Sequence, residues 1–388
     1  MASLARLLLL TVPVVLLAAL YKYNEHLERK KPDWKVTADR IKLPDGRHIA
    51  YEVVGSRKAR NPIFWFHGLA SSRYEANAPQ LNVLEAVDAY TVGIDRPAIG
   101  QSDPHAGRTF ESFAADLADV ADQLGIKTFF VVGVSGGGPY ALAAAHYLPE
   151  RVRGVLLISP ASDYGLLTPH QRERWNQFHG ATALSKAVRA AVRFAPWTLK
   201  GLARLSESKL GGRALYYGVF KRLIGSLRAS RAEVDKRCSA AMKAQGVIPQ
   251  SAPEPASDCP EPDKIPSALA DVDRNCIAAE RPDHLTRSIP QSQLQRTAAV
   301  LFQDVALFHT PWTFNVSTIH PDIRRATHIW QGTGDKQCPV VGAEALASAI
   351  PGSKLYIEED GGHFAYFGCN ETNRRKSLKS LISSGRRI

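Results

Sequence analysis

Short apolar runs alternate with amphipathic stretches up to residue 160, and the same rhythm returns after residue 326. Trp34–Leu43 and Arg47–Val54 read as two strands joined by the turn signature Pro44-Asp45-Gly46, a hairpin at a sheet edge. Pro62–Phe66 and Tyr90–Asp95 are buried-strand runs, each ending in a loop: His67-Gly68-Leu69 and Arg96–Asp103. Thr109–Gly125 has a helical period, with Phe113, Leu117, Val120 and Leu124 on one stripe. Thr109 and Ser112 are its candidate N-caps and Gly125 its stop. Thr128–Ala145 reads TFFVVGVSGGGPYALAAA, a strand, a sharp turn and a helix. Val152–Ile158 is another buried strand. The later part predicts a strand at Ala326–Gln331, a helix at Val341–Ile350, a strand at Lys354–Glu358 and a last amphipathic helix with a basic tail, Arg374–Arg387. Apolar strands alternating with helices imply an α/β fold. The sheet is expected to be mostly parallel, of an eight-stranded type, with helices on both faces.

The rhythm stops after Ser159-Pro160. Residues 165–300 have no strand signal and read as a helical cap inserted after the sixth strand. The predicted organisation is therefore four parts: 1–34, a hydrophobic anchor and basic linker; 35–164, the first part of the core; 165–300, the cap; and 301–388, the second part of the core. Within the cap, residues 246–266 are Pro-rich and acidic, a surface-loop composition.

Charge sharpens this division. The net charge of +12 invites a nucleic-acid reading. Yet residues 165–243 hold 16 Lys/Arg against 4 Asp/Glu, whereas residues 244–284 hold 3 against 8. The basicity belongs to one segment, which carries no nucleic-acid motif and no aromatic interleaving. In Ala183–Leu205, Lys186, Arg189, Arg193, Lys200 and Arg204 fall at helical spacing opposite an apolar side, fitting a solvated cap face or a face on anionic lipid headgroups. No nucleic-acid partner is expected.

At the N-terminus, Leu7–Leu20 is uncharged and extendable to an effective span of residues 4–23. It predicts a retained single-pass membrane anchor, with a cleaved signal peptide and secretion as the alternative. Lys22, Arg29, Lys30 and Lys31 after Leu20, against Arg6 and the α-amine before Leu7, favour a cytosolic C-terminal flank. The sequons Asn315-Val316-Ser317 and Asn370-Glu371-Thr372 would matter only on the lumenal side, so topology stays open. The 5 cysteines include no CxxC and no zinc spacing, so neither a disulfide scaffold nor a metal site is expected; nothing implies a cofactor.

The chemistry gathers at Ser135, inside Gly133-Val134-Ser135-Gly136-Gly137. Glycines two before and two after the serine permit a tight turn and close helix–strand packing, which presents the hydroxyl in front of a helix N-terminus. A nucleophile there needs an acid and a base in later loops. Asp335 follows a strand in Gly332-Thr333-Gly334-Asp335, and His363 follows the last strand in Gly361-Gly362-His363. Asp163 is the alternative acid. His363 would take the Ser135 proton and Asp335 would fix its tautomer. The oxyanion donors expected are the amides of Gly136 and Leu69, with His67 and Gly68 shaping the second loop.

These residues carry a family resemblance. His67-Gly68, Asp95-Arg96-Pro97 through Gly100-Gln101-Ser102-Asp103, Gly133–Gly137, Gly332–Asp335 and Gly362-His363 together resemble the α/β-hydrolase fold superfamily, over about residues 36–160 and 322–383. The family's loop commonly reads DRPGYGxSD; here Ala98-Ile99 replaces Gly-Tyr. Epoxide hydrolases and haloalkane dehalogenases of the superfamily use an aspartate where this chain has Ser135, and the HGGG motif of one lipase/esterase branch is absent. The resemblance implies a serine hydrolase acting through an acyl-enzyme, carboxylesterase- or lipase-like, on a small-molecule or lipid ester. An aminopeptidase, amidase or thioesterase of the same fold, or a non-catalytic ligand-binding relative, are the alternatives.

Overall fold

A computed structural model of the chain describes residues 38–69, 71–79, 81–105, 107–179, 304, 307, 308, 311–364, 366 and 371–386. Eight strands form one sheet: β1 (Asp39–Lys42), β2 (His48–Val54), β3 (Asn61–Phe66), β4 (Ala89–Ile94), β5 (Phe129–Val134), β6 (Val152–Ile158), β7 (Thr327–Gly332) and β8 (Lys354–Glu358). Their spatial order is β1-β2-β4-β3-β5-β6-β7-β8. β2 runs antiparallel to β1 and β4, and every later pairing is parallel. The hairpin predicted at Pro44-Asp45-Gly46 is present: Gly46 takes φ +88° and its N–H donates to the Leu43 carbonyl at 3.0 Å.

The helices are α1 (Leu81–Ala86), α2 (Phe110–Gln123), α3 (Gly138–Tyr147), α4 (Pro169–His179), α5 (Pro321–Arg325), α6 (Val340–Ala349) and α7 (Glu371–Ser384). They cover both faces of the sheet, because successive strand residues point to opposite sides. Phe64, Phe66, Val131, Val155 and Leu157 pack with α2, α3 and α6. Ile63, Trp65, Val132, Leu156 and Ile158 pack with α1 and α7. Strands buried on both sides must be apolar throughout, which is why β4 and β5 read as unbroken runs. At the start of α2 the two N-cap candidates act together. The Thr109 hydroxyl accepts the Ser112 N–H at 3.0 Å, and the Ser112 hydroxyl accepts the Thr109 N–H at 2.9 Å, a reciprocal capping box.

Two elements had no sequence signal. α1 and α5 are 6 and 5 residues long, too short for a helical period to register. Of the predicted cap, α4 is described; its Arg174 forks onto Glu344 of α6 at 2.7 and 3.2 Å. The anchor at residues 4–23, the basic stretch Ala183–Leu205, the Pro-rich segment 246–266 and Asn370 lie outside the described residues. Among the described residues no helix is long and apolar enough to cross a membrane. Asn315 is exposed and uses its own side-chain oxygen to accept the Ser317 N–H at 2.9 Å.

Candidate active site

All parallel strands finish at one edge of the sheet, and the loops that leave β3, β4, β5, β7 and β8 meet there. β5 ends at Val134, and Ser135 follows with φ +50°, in the left-handed region that L-residues avoid. The turn is held by close backbone approach. A Cβ at Gly137 would stand 1.9 Å from the Phe66 carbonyl oxygen, and one at Gly133 would stand 2.6 Å from the Gly137 oxygen. Only glycine fits either place, and the serine between them is lifted to the head of α3, where it remains partly exposed.

The loops after β7 and β8 lock together in the same way. A Cβ on Gly332 would lie 2.1 Å from the Gly361 carbonyl oxygen, and the Gly334 N–H donates to that oxygen at 2.9 Å. This contact brings Asp335 Oδ2 within 2.8 Å of His363 Nδ1. The carboxylate is fully used: Oδ2 also accepts Gln331 Nε2 at 3.0 Å, and Oδ1 accepts the amides of Gln337 and Cys338 at 2.8 and 2.9 Å. Burial by itself would raise the Asp335 carboxyl. The charge of His363 and these hydrogen bonds outweigh it and hold the group below its ordinary value. Asp163, the alternative acid, is engaged elsewhere. It caps the turn Tyr164–Leu166 through the Gly165 N–H at 2.7 Å and accepts the Trp312 N–H at 3.3 Å.

The loop expected to supply the second oxyanion donor lies across Ser135. A Cβ on Gly68 would be 3.4 Å from Ser135 Cβ, and one on Gly136 would be 3.4 Å from the Leu69 nitrogen. The two expected donors, the amides of Gly136 and Leu69, are thus neighbours beside Ser135. His67 is fully buried, and its Nδ1 bonds the Gly68 carbonyl at 2.8 Å. The Arg96 N–H reaches its Nε2 at 3.4 Å, so Nδ1 carries the proton and Nε2 accepts. Burial, and then the neighbouring Arg96 cation, push His67 well below its ordinary value and keep it neutral. The bond from Nδ1 ties the ring to the loop backbone.

Sequence reasoning gave no role to five groups here. Arg96 is buried, and its guanidinium donates to the carbonyls of His67 and Gly68, the latter at 3.2 Å. Asp304 lies 208 positions after Arg96, in helical backbone, and binds Arg96 at 2.9 Å and Arg108 at 2.5 Å. Glu75 is buried under the same loop, accepting the Gly68 N–H at 3.1 Å and Trp65 Nε1 at 3.2 Å. Phe308, four residues after Asp304, lays its ring against Gly136, where a Cβ would be 2.9 Å away. Cys338 places its thiol 4.0 Å from the Ser135 hydroxyl. The other four cysteines are outside the described residues. The Ala98 departure from the family loop also has a structural cost. Ala98 adopts φ +64°, a conformation that costs an L-residue about 1 kcal/mol.

The Glu75 carboxyl gives a measurable signature. Burial pushes it above its ordinary value of 4.5, against hydrogen bonds from Ser71, Gly68 and Trp65. A carboxyl raised by folding favours the fold in its protonated form. Its contribution is therefore complete below that ordinary value and is lost as pH rises through the raised folded value. The Tm advantage of Glu75→Gln over the wild type is expected to grow with pH across that interval and then level off. A difference that stays constant with pH would contradict this account.

Comparison with known proteins agrees with the topology. The profile of the family described as alpha/beta hydrolase fold matches residues 61–207, from β3 to beyond α4. The chain carries the α/β-hydrolase fold. Within that fold it is 35% identical over 118 residues to the dihydrolipoyllysine-residue acetyltransferase component of the acetoin cleaving system of Cupriavidus necator, covering 30% of this chain and 30% of that one. It is 28% identical over 129 residues to the uncharacterized hydrolase YcgS of Bacillus subtilis, covering 33% of this chain and 43% of the relative. This chain thus spans less than half the length of either. Among solved structures, the bromoperoxidase of Bacillus anthracis superposes with a TM-score of 0.52 at 16% identity, over 89% of this chain and 98% of that one. At that identity the likeness concerns the hydrolase fold alone.

Proposed function

We propose that the chain is a serine hydrolase that cleaves a carboxylic ester of apolar or lipid-like character through an acyl-enzyme. The observation that carries this reading is Ser135, held at φ +50° at the head of α3, at the same sheet edge as the Asp335–His363 pair at 2.8 Å. In the reaction, His363 Nε2 takes the proton of Ser135 as its oxygen bonds to the ester carbonyl carbon. The carbonyl oxygen becomes an oxyanion received by the amides of Gly136 and Leu69. His363 then returns the proton to the alcohol that leaves, and water releases the acyl group by the same steps in reverse roles. Asp335 keeps the proton on Nδ1 and stabilises the imidazolium.

An apolar acyl group is supported by what surrounds the nucleophile. The Phe308 ring faces Gly136, and the Leu69 side chain is 37% exposed beside it. The hydrolase relative in Bacillus subtilis is in keeping with this class of reaction. The span at residues 4–23 would hold the enzyme at a membrane, beside such substrates.

The test is labelling of the full chain with a fluorophosphonate, followed by turnover of p-nitrophenyl esters graded from acetyl to palmitoyl. Labelling, with kcat/KM rising with acyl length, is expected. An unlabelled wild type would overturn the serine-hydrolase reading, and a preference for acetyl would overturn the lipid-like substrate.

A further inference from the structure

We propose that Asp304 is a positioning residue for the oxyanion hole: by anchoring Arg96, it fixes the peptide that carries the Leu69 N–H. This deepens the serine-hydrolase reading and rests on it.

The peptide between Gly68 and Leu69 carries that donor. A trans peptide points its C=O and N–H in opposite directions, and no described peptide is cis. The Gly68 carbonyl accepts two donors, His67 Nδ1 at 2.8 Å and Arg96 at 3.2 Å. Both pull it to one side, so the Leu69 N–H is turned to the other, with its nitrogen beside Gly136. Arg96 also holds the preceding carbonyl, that of His67. Two carbonyls on one guanidinium fix both the position and the tilt of this loop. A cation on the Gly68 oxygen further polarises the peptide, which strengthens its N–H as a donor.

Arg96 is itself held by a carboxylate from a distant part of the chain. Asp304 Oδ2 takes Arg96 at 2.9 Å, while Oδ1 takes Arg108 at 2.5 Å and the Tyr140 hydroxyl at 2.6 Å. All four side chains are buried. Charges in such a place are tolerated only when paired. Asp304 carries Phe308 with it, four residues on, and Phe308 lies against Gly136, the other oxyanion donor. The segment that returns from the insertion to the core therefore touches both halves of the oxyanion hole, one through a salt bridge and one through a ring. If that segment is not seated, Arg96 loses the carboxylate that holds it and the Leu69 amide loses its alignment.

Asp304→Asn separates this role from simple support. The carboxamide offers one acceptor oxygen where the carboxylate uses two. Two donors, Arg108 and Tyr140, draw that oxygen to the Oδ1 side, and the NH2 group then faces Arg96. Rates are read per active site, titrated to completion with a fluorophosphonate, so a partly folded preparation still gives the rate of its folded fraction. The expected result is a kcat about 10- to 100-fold lower with KM within about twofold, somewhat less than removal of an oxyanion donor outright. Affinity for a trifluoromethyl ketone, which forms a tetrahedral oxyanion on Ser135, should fall in parallel. Affinity for the matching unreactive amide should not change. A per-site kcat within threefold of the wild type, whatever the fall in Tm, would overturn the inference, as would a rise in KM at unchanged kcat. An unlabelled wild type would instead be failure of the serine-hydrolase reading itself, so the two failures are distinguishable.

Discussion

Ser135→Ala is expected to abolish fluorophosphonate labelling and to lower ester turnover by about 10⁴- to 10⁶-fold, as loss of the nucleophile does in serine hydrolases. Structure should survive the change. Alanine and serine are strained similarly at φ +50°, and the turn itself is set by Gly133 and Gly137 rather than by the side chain. The hydroxyl makes a weak contact with the Cys338 thiol at 4.0 Å, and the residue is partly exposed. Stability should therefore move by less than about 1 kcal/mol. Labelling by mass spectrometry and thermal denaturation of the same preparation check both halves. Residual turnover is expected from the oxyanion amides alone. Normal labelling of the variant would remove Ser135 from the mechanism.

Asp335→Asn should cost about 10⁴-fold in kcat, and the reason lies in the donors that converge on this group. Oδ1 accepts two backbone amides, which cannot turn away. The substituted carboxamide must keep its oxygen on that side and present NH2 towards His363 and Gln331. An NH2 group facing Nδ1 favours the tautomer whose proton sits on Nε2, and that ring cannot accept the proton of Ser135. Gln331 cannot turn to accept the new donor, because its Nε2 also donates to the carbonyls of Gly332 and Cys338, so two NH2 groups are left facing each other. The substitution therefore costs the fold as well as the chemistry. A large fall in kcat together with a clear fall in Tm is the expected pair of readings. A kcat within tenfold of the wild type would show that Asp335 does not govern the imidazole.

The parts of this site that the sequence revealed are those that make a local pattern. A strand buried on two faces must be apolar, so β3 to β6 could be read as runs. A turn that admits no Cβ must be glycine, so Gly133 and Gly137 marked Ser135. Asp335 and His363 each stand in a glycine-flanked loop for the same reason: two backbones touch there. Asp163 had a similar placement after β6, and only its commitment to Gly165 and Trp312 sets it apart, a fact of geometry that spacing does not encode. Arg96 was read as part of a loop motif without a task. Its task depends on Asp304, which lies far along a stretch with no rhythm. Glu75 left no trace, because a carboxylate in a loop ordinarily means solvent. Here it lies beneath the Gly68 amide.

The pairing of β6 with β7 sets Val155 beside Thr327 and Ile158 beside Trp330, although 168 residues, 159–326, separate the two strands along the chain. Closing a loop of that length costs entropy only as the logarithm of its size, about 0.6 kcal/mol for each doubling. Lineages can therefore lengthen, shorten or exchange this stretch with little penalty to the sheet. The contacts at Asp304 limit that freedom, because any replacement must still deliver a carboxylate to two buried arginines. Selection on what enters the site can thus proceed almost independently of selection on the reaction, with that carboxylate as the point where the two are joined.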